Sequence, residues 1–436
     1  MSGPKIRAAV CDLNGVWRGK LMPFDQLEKV QQGKMRMPFS TPTVDIWGHD
    51  IIGSNLVYKT GDADGVCACT GRGPLGENWL ANGSVFMPVW MTKDSGAASM
   101  VDPRRILAHV TRQLSALGLR PVMALELEFY LVDASNGQPV APKSPVTGKA
   151  MEGDSILSLQ DLDDFDSFFA DVYRACADYG IPADAAISEG GAGQFEINLL
   201  HIDDVLRAAD NAVFFKRIIK GVARKHGFSA SFMAKPYLKQ AGSGLHVHFS
   251  ILDNDGCNIF DDGGKSGSET LGHVVAGLMD VMAETTLIFA PHLNSYRRLK
   301  PGSHAPAGIG WGYENRTAAL RIPGGAPAAR RIEHRLSGAD ANPYLLLAAV
   351  LTGVLHGLKH RKAPPDPING NAHAAGLQHL PATWSSALRL FEASSIIPEF
   401  MSPLFHRMFA DIKRQEMQVF AERMSDFEVA TYLETI

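Results

Sequence analysis

The sequence predicts an α+β protein of two domains: a small, mainly β domain over residues 1–100, and a larger domain over residues 101–436 in which strands alternate with helices. Three observations carry that prediction. The 436 residues exceed the usual size of a single domain. The first hundred break into short apolar strings separated by Asp/Asn-Gly turns. Beyond them, apolar strands that carry paired carboxylates or histidines are interleaved with segments of helical periodicity.

In the first domain the β-type strings are Ile6-Arg-Ala-Ala-Val-Cys-Asp and Ser84-Val-Phe-Met-Pro-Val-Trp. Asp102-Pro-Arg then opens an amphipathic helix through Ile106, Leu107, Val110, Leu114 and Leu117, and Gly118 stops it. The next strand, Met123–Asp133, is apolar except for Glu126 and Glu128, and the two-residue period points both glutamates the same way. Residues 133–154 are rich in Gly, Pro and Ser and predict a long surface excursion. Helices follow over Leu162–Tyr179 and from about Asp204 to His226. Between them, in Ala185–Leu199, two strand ends carrying Glu189 and Glu196 are joined by a glycine-rich turn, and closing that hairpin brings the carboxylates together. The strand Gly242–Ile251 sets His246 and His248 on one face, and Arg331-Ile-Glu-His-Arg335 does the same for Arg331, Glu333 and Arg335.

Composition narrows the function classes. Apolar content of 45%, charged content of 20% and a formal charge of -4 exclude a basic nucleic-acid-binding surface. The five scattered cysteines lack zinc-site spacing and point to a reducing cytoplasm. The amino terminus has no apolar signal region, and the longest apolar run, Tyr344 to Leu355, is too short to cross a bilayer, so neither export nor membrane insertion is expected.

An isolated Glu-x-Glu or a lone strand histidine is ordinary on a solvated or hydrogen-bonded face. Clustered carboxylates in apolar strands are different, because each raises the cost of ionising the next unless a cation sits among them. Mixed carboxylate and imidazole donors suit Mg²⁺ or Mn²⁺. The arginines Arg297, Arg298, Arg316, Arg321, Arg331 and Arg335 suit phosphates and carboxylates.

The motifs ELEFY (126–130), EGGAGQFE (189–196), GSGLHVH (242–248), NSYRRLKPG (294–302), NRTAALRIP (315–323) and RRIEHR (330–335) resemble, in the same order, those of the glutamine synthetase family. The resemblance implies a β-grasp amino-terminal domain followed by a catalytic domain with an open, barrel-like antiparallel sheet and flanking helices. It implies ATP as a substrate and two or three divalent ions per site. Glu128, Glu189 and Glu196 would hold the ion near the amino-acid substrate, and Glu126, His246 and Glu333 the ion bridging the ATP phosphates. Arg298, Arg335 and Gly242 would hold the substrate, with Arg298 and Arg316 also catalytic. His248, Ser250, Arg316, Arg321 and Arg331 would contact the nucleotide. A homo-oligomer is implied too, a dodecamer of two hexameric rings whose active sites are completed by the neighbouring subunit.

Three departures from the ammonia-using pattern point to a branch of that family. The flap glutamate before Ala-Pro is replaced by His304, a candidate catalytic residue here. Ala241 stands where Asn usually opens the Asn-Gly-Ser-Gly loop, and Phe39-Ser-Thr-Pro-Thr offers no counterpart to the ammonium-binding aspartate. The expected activity is therefore joining glutamate to an organic amine, a polyamine or a monoamine. The alternatives are ammonia-dependent glutamine formation and a catalytically inactive scaffold or sensor. The region Lys362 to Trp384 also lacks the tyrosine through which many bacterial relatives are nucleotidylated.

Overall fold

The structure, a computed structural model, describes residues 3–80, 82–133, 137–300 and 302–436. Met1, Ser2, residues 134–136 of the expected excursion and Pro301 of the NSYRRLKPG motif lie outside the described residues.

The first hundred residues build a six-stranded sheet from β1 (Lys5–Cys11), β2 (Trp17–Pro23), β3 (Arg36–Pro38), β4 (Asp64–Cys69), β5 (Leu75–Gly76) and β6 (Val85–Thr92). The order is β2-β1-β6-β4-β3, with β5 also on β6 and the central pair β1 and β6 parallel. Two short helices, α1 (Leu27–Gln31) and α2 (Asn55–Tyr58), lie between the strands. This is the expected β-grasp arrangement. Alternation along β1 divides its side chains between two cores. Ile6, Ala8 and Val10 pack with Met87, Val89 and Met91 in a core of this sheet's own. Ala9 and Cys11 join Phe86 in the large core shared with the rest of the chain.

After α3 (Pro103–Ala116), whose amino end is capped by the Asp102 carboxylate, comes β7 (Arg120–Val132), the spine of an eight-stranded sheet. The other strands are β8 (Ala183–Ser188), β9 (Gln194–Leu199), β10 (Ser229–Ser231), β11 (Leu245–Leu252), β12 (Trp311–Tyr313), β13 (Leu320–Ile322) and β14 (Ile332–His334). Their order is β12-β13-β14-β11-β7-β9-β8, with β10 also on β7. The sheet is antiparallel as expected, with one parallel pair, β12 with β13, at its edge.

Leu125, Leu127, Phe129 and Leu131 of β7 are at most 1% exposed. The Phe129 ring lies among Phe168, Phe195, Phe215 and Phe232 at 5.8–6.4 Å. Those rings come from β9, the segment after β10, and two helices: α5 (Asp166–Asp178) and α6 (Val205–Lys225). The helix expected over Leu162–Tyr179 is in fact two, α4 (Leu159–Asp164) and α5, broken at Phe165. Phe165 leaves helical geometry (φ -110°) and is 1% exposed, its ring 5.4 Å from Phe195, so core packing overrides helical continuity there.

The carboxyl-terminal half adds α7 (Glu269–Phe289), α8 (Pro343–His360), α9 (Trp384–Ala393), α10 (Ile396–Phe400), α11 (Pro403–Ala421) and α12 (Asp426–Tyr432). Among the described residues α7 is the one helix long and apolar enough to cross a membrane, yet 67% of its most apolar stretch is buried, largely beside α8. The amino-terminal sheet is fastened to this body by polar contacts. Glu77, fully buried, accepts from Arg7 (2.9 Å) and from Arg217 Nε on α6 (2.9 Å), and Asn14 donates to Glu416 on α11 (2.8 Å).

Candidate active site

Strand register assembles the site. On the face of β7 opposite the apolar one, Glu126 is paired with His246 of β11 on one side and Asn198 of β9 on the other. One rung along, Glu128 is paired with Glu196. His248 of β11 is paired with Glu333 of β14, which in turn is paired with Arg321 of β13. Residues directly opposite on antiparallel strands have Cβ atoms about 5 Å apart, so the ligand-type side chains converge without any loop having to carry them. Glu189 joins them from the β8–β9 turn, where its N–H donates to Gln194 O (2.9 Å). That turn requires glycine at 193: φ is +76°, and a Cβ would stand 2.6 Å from Pro142 and 2.7 Å from Leu131 O.

The electrostatics follow from crowding. Burial, with Glu128 and Glu126 adding to it, pushes Glu189 up to about 7. Burial, then Glu128, Glu126 and Glu189, raise Glu196 more strongly. Burial opposes ionisation of Glu126 too, but His246 Nδ1 at 3.2 Å and His248 Nε2 at 2.9 Å outweigh it and hold its pKa low. Glu128 instead accepts from Gln194 Nε2 (3.1 Å) and Gly244 N (2.9 Å).

Two sets of donor atoms each lie within 4.8 Å of one another: Glu126, His248 and Glu333, and Glu126, Glu196 and His246. These sets cross the division that the resemblance implies, and His248 stands among the donors. Its buried Nε2 makes no hydrogen bond, because the approach to Glu126 has the distance but not the geometry. An orphaned imidazole nitrogen facing several mutually repelling carboxylates fits a hard divalent cation with mixed oxygen and nitrogen donors.

The arginines surround that face. Arg335 and Arg321 both donate to Glu333, Arg321 at 2.9 Å. Arg331 Nε donates to His248 Nδ1 at 3.3 Å. Arg316 is exposed and close enough for its charge to favour ionised Glu189. Arg298 is 6% exposed and donates to Leu336 O at 2.7 Å. A Cβ on Gly242 would lie 2.9 Å from the Arg298 Cγ and 2.7 Å from Ala234 O, so this close approach needs glycine. Ser250 is half-buried and His304 exposed, and neither side chain has a hydrogen-bond or ion-pair partner among the described residues. The turn carrying His304 is tied back by Ser303 Oγ, which donates to Arg298 O at 2.9 Å.

The sequence reading omitted three residues of this face. Gln194 donates to both Glu128 and Gly242 O (3.1 Å each) and accepts from Gly191 N, while Asn198 donates to Glu126 (3.1 Å). Both lie two residues from Glu196 on one strand face, a spacing that could have found them. His201, just past β9, has its ring 6.3 Å from that of His248, and nothing in the sequence singles it out.

The catalytic-domain model of glutamine synthetase matches residues 100–432. The chain belongs to the glutamine synthetase family. Within this family it is 36% identical to gamma-glutamylputrescine synthetase PuuA of Escherichia coli, over 97% of this chain and 90% of that protein. It is 33% identical to the glutamate–isopropylamine ligase of a Pseudomonas species, over 78% of this chain and 75% of that protein. A solved family structure, a GmaS/ADP complex, superposes with a TM-score of 0.85 at 25% identity, covering 99% of this chain and 97% of the other.

Proposed function

We propose that this protein is an ATP-dependent ligase that joins the γ-carboxylate of glutamate to an organic amine through a γ-glutamyl phosphate. The observation that carries the reading is one sheet face on which Glu126, Glu128, Glu196, His246, His248 and Glu333 converge, with Arg298, Arg321, Arg331 and Arg335 around it. A carboxylate is a poor acylating agent. Its oxygen must first take the γ-phosphoryl group of ATP, releasing ADP, and the amine nitrogen then attacks the acyl carbon and expels phosphate. Both steps demand positioning and charge neutralisation rather than a protein nucleophile.

The residues divide that work. Glu128, Glu189 and Glu196, and Glu126, His246 and Glu333, would hold divalent ions, with His248 as a further donor beside its nucleotide contact. Those ions would neutralise phosphate and carboxylate charge. Arg298, Arg335 and Gly242 grip the amino-acid substrate. Arg316, Arg321 and Arg331 balance the phosphoryl group in transfer, the role of guanidinium forks in a partly dehydrated cleft. His304, exposed and without a side-chain partner among the described residues, can take a proton from the incoming ammonium. The reading includes a division into domains near residue 100, a cytoplasmic location and a ring-shaped homo-oligomer of about twelve chains, assigned by family resemblance. Light scattering on the active species tests the assembly.

The organic amine is favoured by His304, which carries no negative charge in either protonation state, and by two of the matched relatives, named for putrescine and isopropylamine, against others named glutamine synthetase. The deciding experiment measures ADP release with glutamate and Mg²⁺ fixed, across ammonia and a panel of mono-, di- and polyamines. Ammonia outperforming every organic amine would overturn the amine assignment. No glutamate-dependent ADP release with any amine would leave a binding protein.

A further inference from the structure

Arg298 is held at both ends, by the turn after β14 and by its own 3-10 turn. Its side chain donates to Leu336 O at 2.7 Å, and its backbone N–H donates to Ser295 O at 3.0 Å. Ser295, 2% exposed, donates its hydroxyl to Asp340 Oδ2 at 2.6 Å. Leu336 and Asp340 belong to the same turn between β14 and α8, so the contacts close a ring around the arginine. The neighbouring Asn294 reinforces it, accepting from Lys235 N (2.8 Å) and donating to Lys235 O (2.9 Å). This fixes the 234–244 segment whose Gly242 touches the Arg298 side chain.

Charge follows the same geometry. Burial lowers the pKa of Arg298 and Arg335 adds to that, while two carboxylates near it, Glu128 of the glutamate face and Asp340 of the turn after β14, favour its charged form. The other Asp340 oxygen, Oδ1, is buried with no hydrogen-bond partner among the described residues, and the groups facing this carboxylate are Ser295, Tyr296, Arg298 and Lys216, whose Nζ donates to Ala341 O at 2.8 Å. A guanidinium with one acid in front and none behind would close onto the front one. Glu128 would then be taken from its place among the carboxylates, and Arg298 would have fewer N–H groups to offer.

We propose that Asp340 is a positioning residue for Arg298: acting through Ser295 and through its own charge, it holds the guanidinium back from Glu128 and keeps it open to a substrate carboxylate. This rests on the reading of Arg298 as a residue that grips the amino-acid substrate. On that reading neither Asp340 nor Ser295 is among the residues that grip the substrate.

The test uses the assembled wild-type protein beside Ser295→Ala, Ser295→Thr and Asp340→Asn. Glutamate binding is followed by calorimetry with ADP and Mg²⁺ present, and KM for glutamate and ATP, Mg²⁺ dependence and thermal unfolding are measured in parallel. Loss of a charged hydrogen bond predicts that Ser295→Ala and Asp340→Asn weaken glutamate about tenfold or more. They should raise the Mg²⁺ needed for activity and leave the KM for ATP nearly unchanged, while Ser295→Thr, which keeps the hydroxyl, retains most of the affinity. Folded variants that bind glutamate like the wild type overturn the proposal. So does an equal loss for ATP and glutamate, the mark of a merely structural role. If Asp340→Asn does not fold, the two Ser295 variants decide. A wild type that binds ATP but no glutamate sinks the substrate reading and this inference with it, whereas normal wild-type binding with unaffected variants sinks the positioning role alone.

Discussion

Glu128 on β7 stands directly opposite Glu196 on β9, two carboxylates facing each other on neighbouring strands, with the Glu126–His246 rung beside them. Burial and these neighbours raise the pKa of Glu196, and Glu189 is pushed up to about 7, so both are easier to protonate in the folded chain than in the unfolded one. A raised carboxylate costs no stability below its unfolded value, near 4.5, and costs progressively more as pH climbs to the folded value. Metal-free Glu196→Gln should therefore melt above the metal-free wild type, with the gap widening from about pH 5 upward, while ligase activity falls about a hundredfold or more. Calorimetric melting in chelator at several pH values checks it. A variant that melts lower at pH 8 would count against the repulsion.

Glu333, 1% exposed, accepts from both Arg321 and Arg335. Glu333→Gln keeps the shape and removes the charge, leaving the buried Arg335 and the half-buried Arg321 without their anion. The expected result is a KM for ATP raised about tenfold or more, a smaller change for glutamate, and a lower melting temperature. Separate titrations of the two substrates decide, and a larger effect on glutamate would reverse the assignment of Glu333 to the nucleotide side.

Glu77 takes both Arg7 of β1 and Arg217 of α6 on a fully buried carboxylate. Glu77→Ala strips two partly buried arginines of their partner at the join between the amino-terminal sheet and the larger body, and should cost about 3 kcal/mol. A urea midpoint that does not move would show the join to be held by its apolar contacts alone.

The sequence disclosed the site better than its surroundings. Period-two alternation put Glu126 with Glu128, and His246 with His248, on common faces before any strand was paired, because side-chain direction in a strand depends on position alone. Which donors meet was not legible: the grouping of His248 with Glu126 and Glu333 depends on the β7–β11–β14 register, a long-range property. The two-residue spacing from Glu196 puts Gln194 and Asn198 on the same face, but only the β7–β9 register brings them onto Glu128 and Glu126. The break at Phe165 was hidden for a related reason, since local periodicity runs through it and tertiary packing of its ring decides against it. The parallel β12–β13 pair likewise rests on contacts outside each short strand, including Trp311 Nε1 to Pro365 O at 2.8 Å.

The region Lys362 to Trp384 has no tyrosine and is laced to the Arg316 loop. Asn315 donates to Ile368 O and Gly370 O, and Ala372 N donates to Thr317 Oγ1 at 2.9 Å. Control by tyrosine nucleotidylation is therefore not expected. Intact-mass and peptide mass spectrometry after incubation with a nucleotidyltransferase and ATP should show no AMP adduct in this region.

His304 lies exposed on a turn anchored to Arg298 through Ser303, in the place where, by the family resemblance, ammonia-using members carry a glutamate. A flap carboxylate attracts ammonium and can take its proton, whereas an imidazole can take the proton but offers no negative charge to a small cation. Ammonia should therefore saturate poorly, while each methylene that an alkyl amine buries contributes about 0.8 kcal/mol, or about fourfold in affinity. The KM should fall along the series from ammonia to methylamine to longer alkyl amines or diamines until the pocket is full. His304→Glu should recover part of the ammonia-dependent rate, but not all of it, because Phe39-Ser-Thr-Pro-Thr supplies no aspartate for the same cation. The kcat/KM for each amine, measured for wild type and His304→Glu with glutamate and ATP saturating, separates the effects. A variant whose preference among amines matches the wild type would show that His304 does not set the choice of nucleophile.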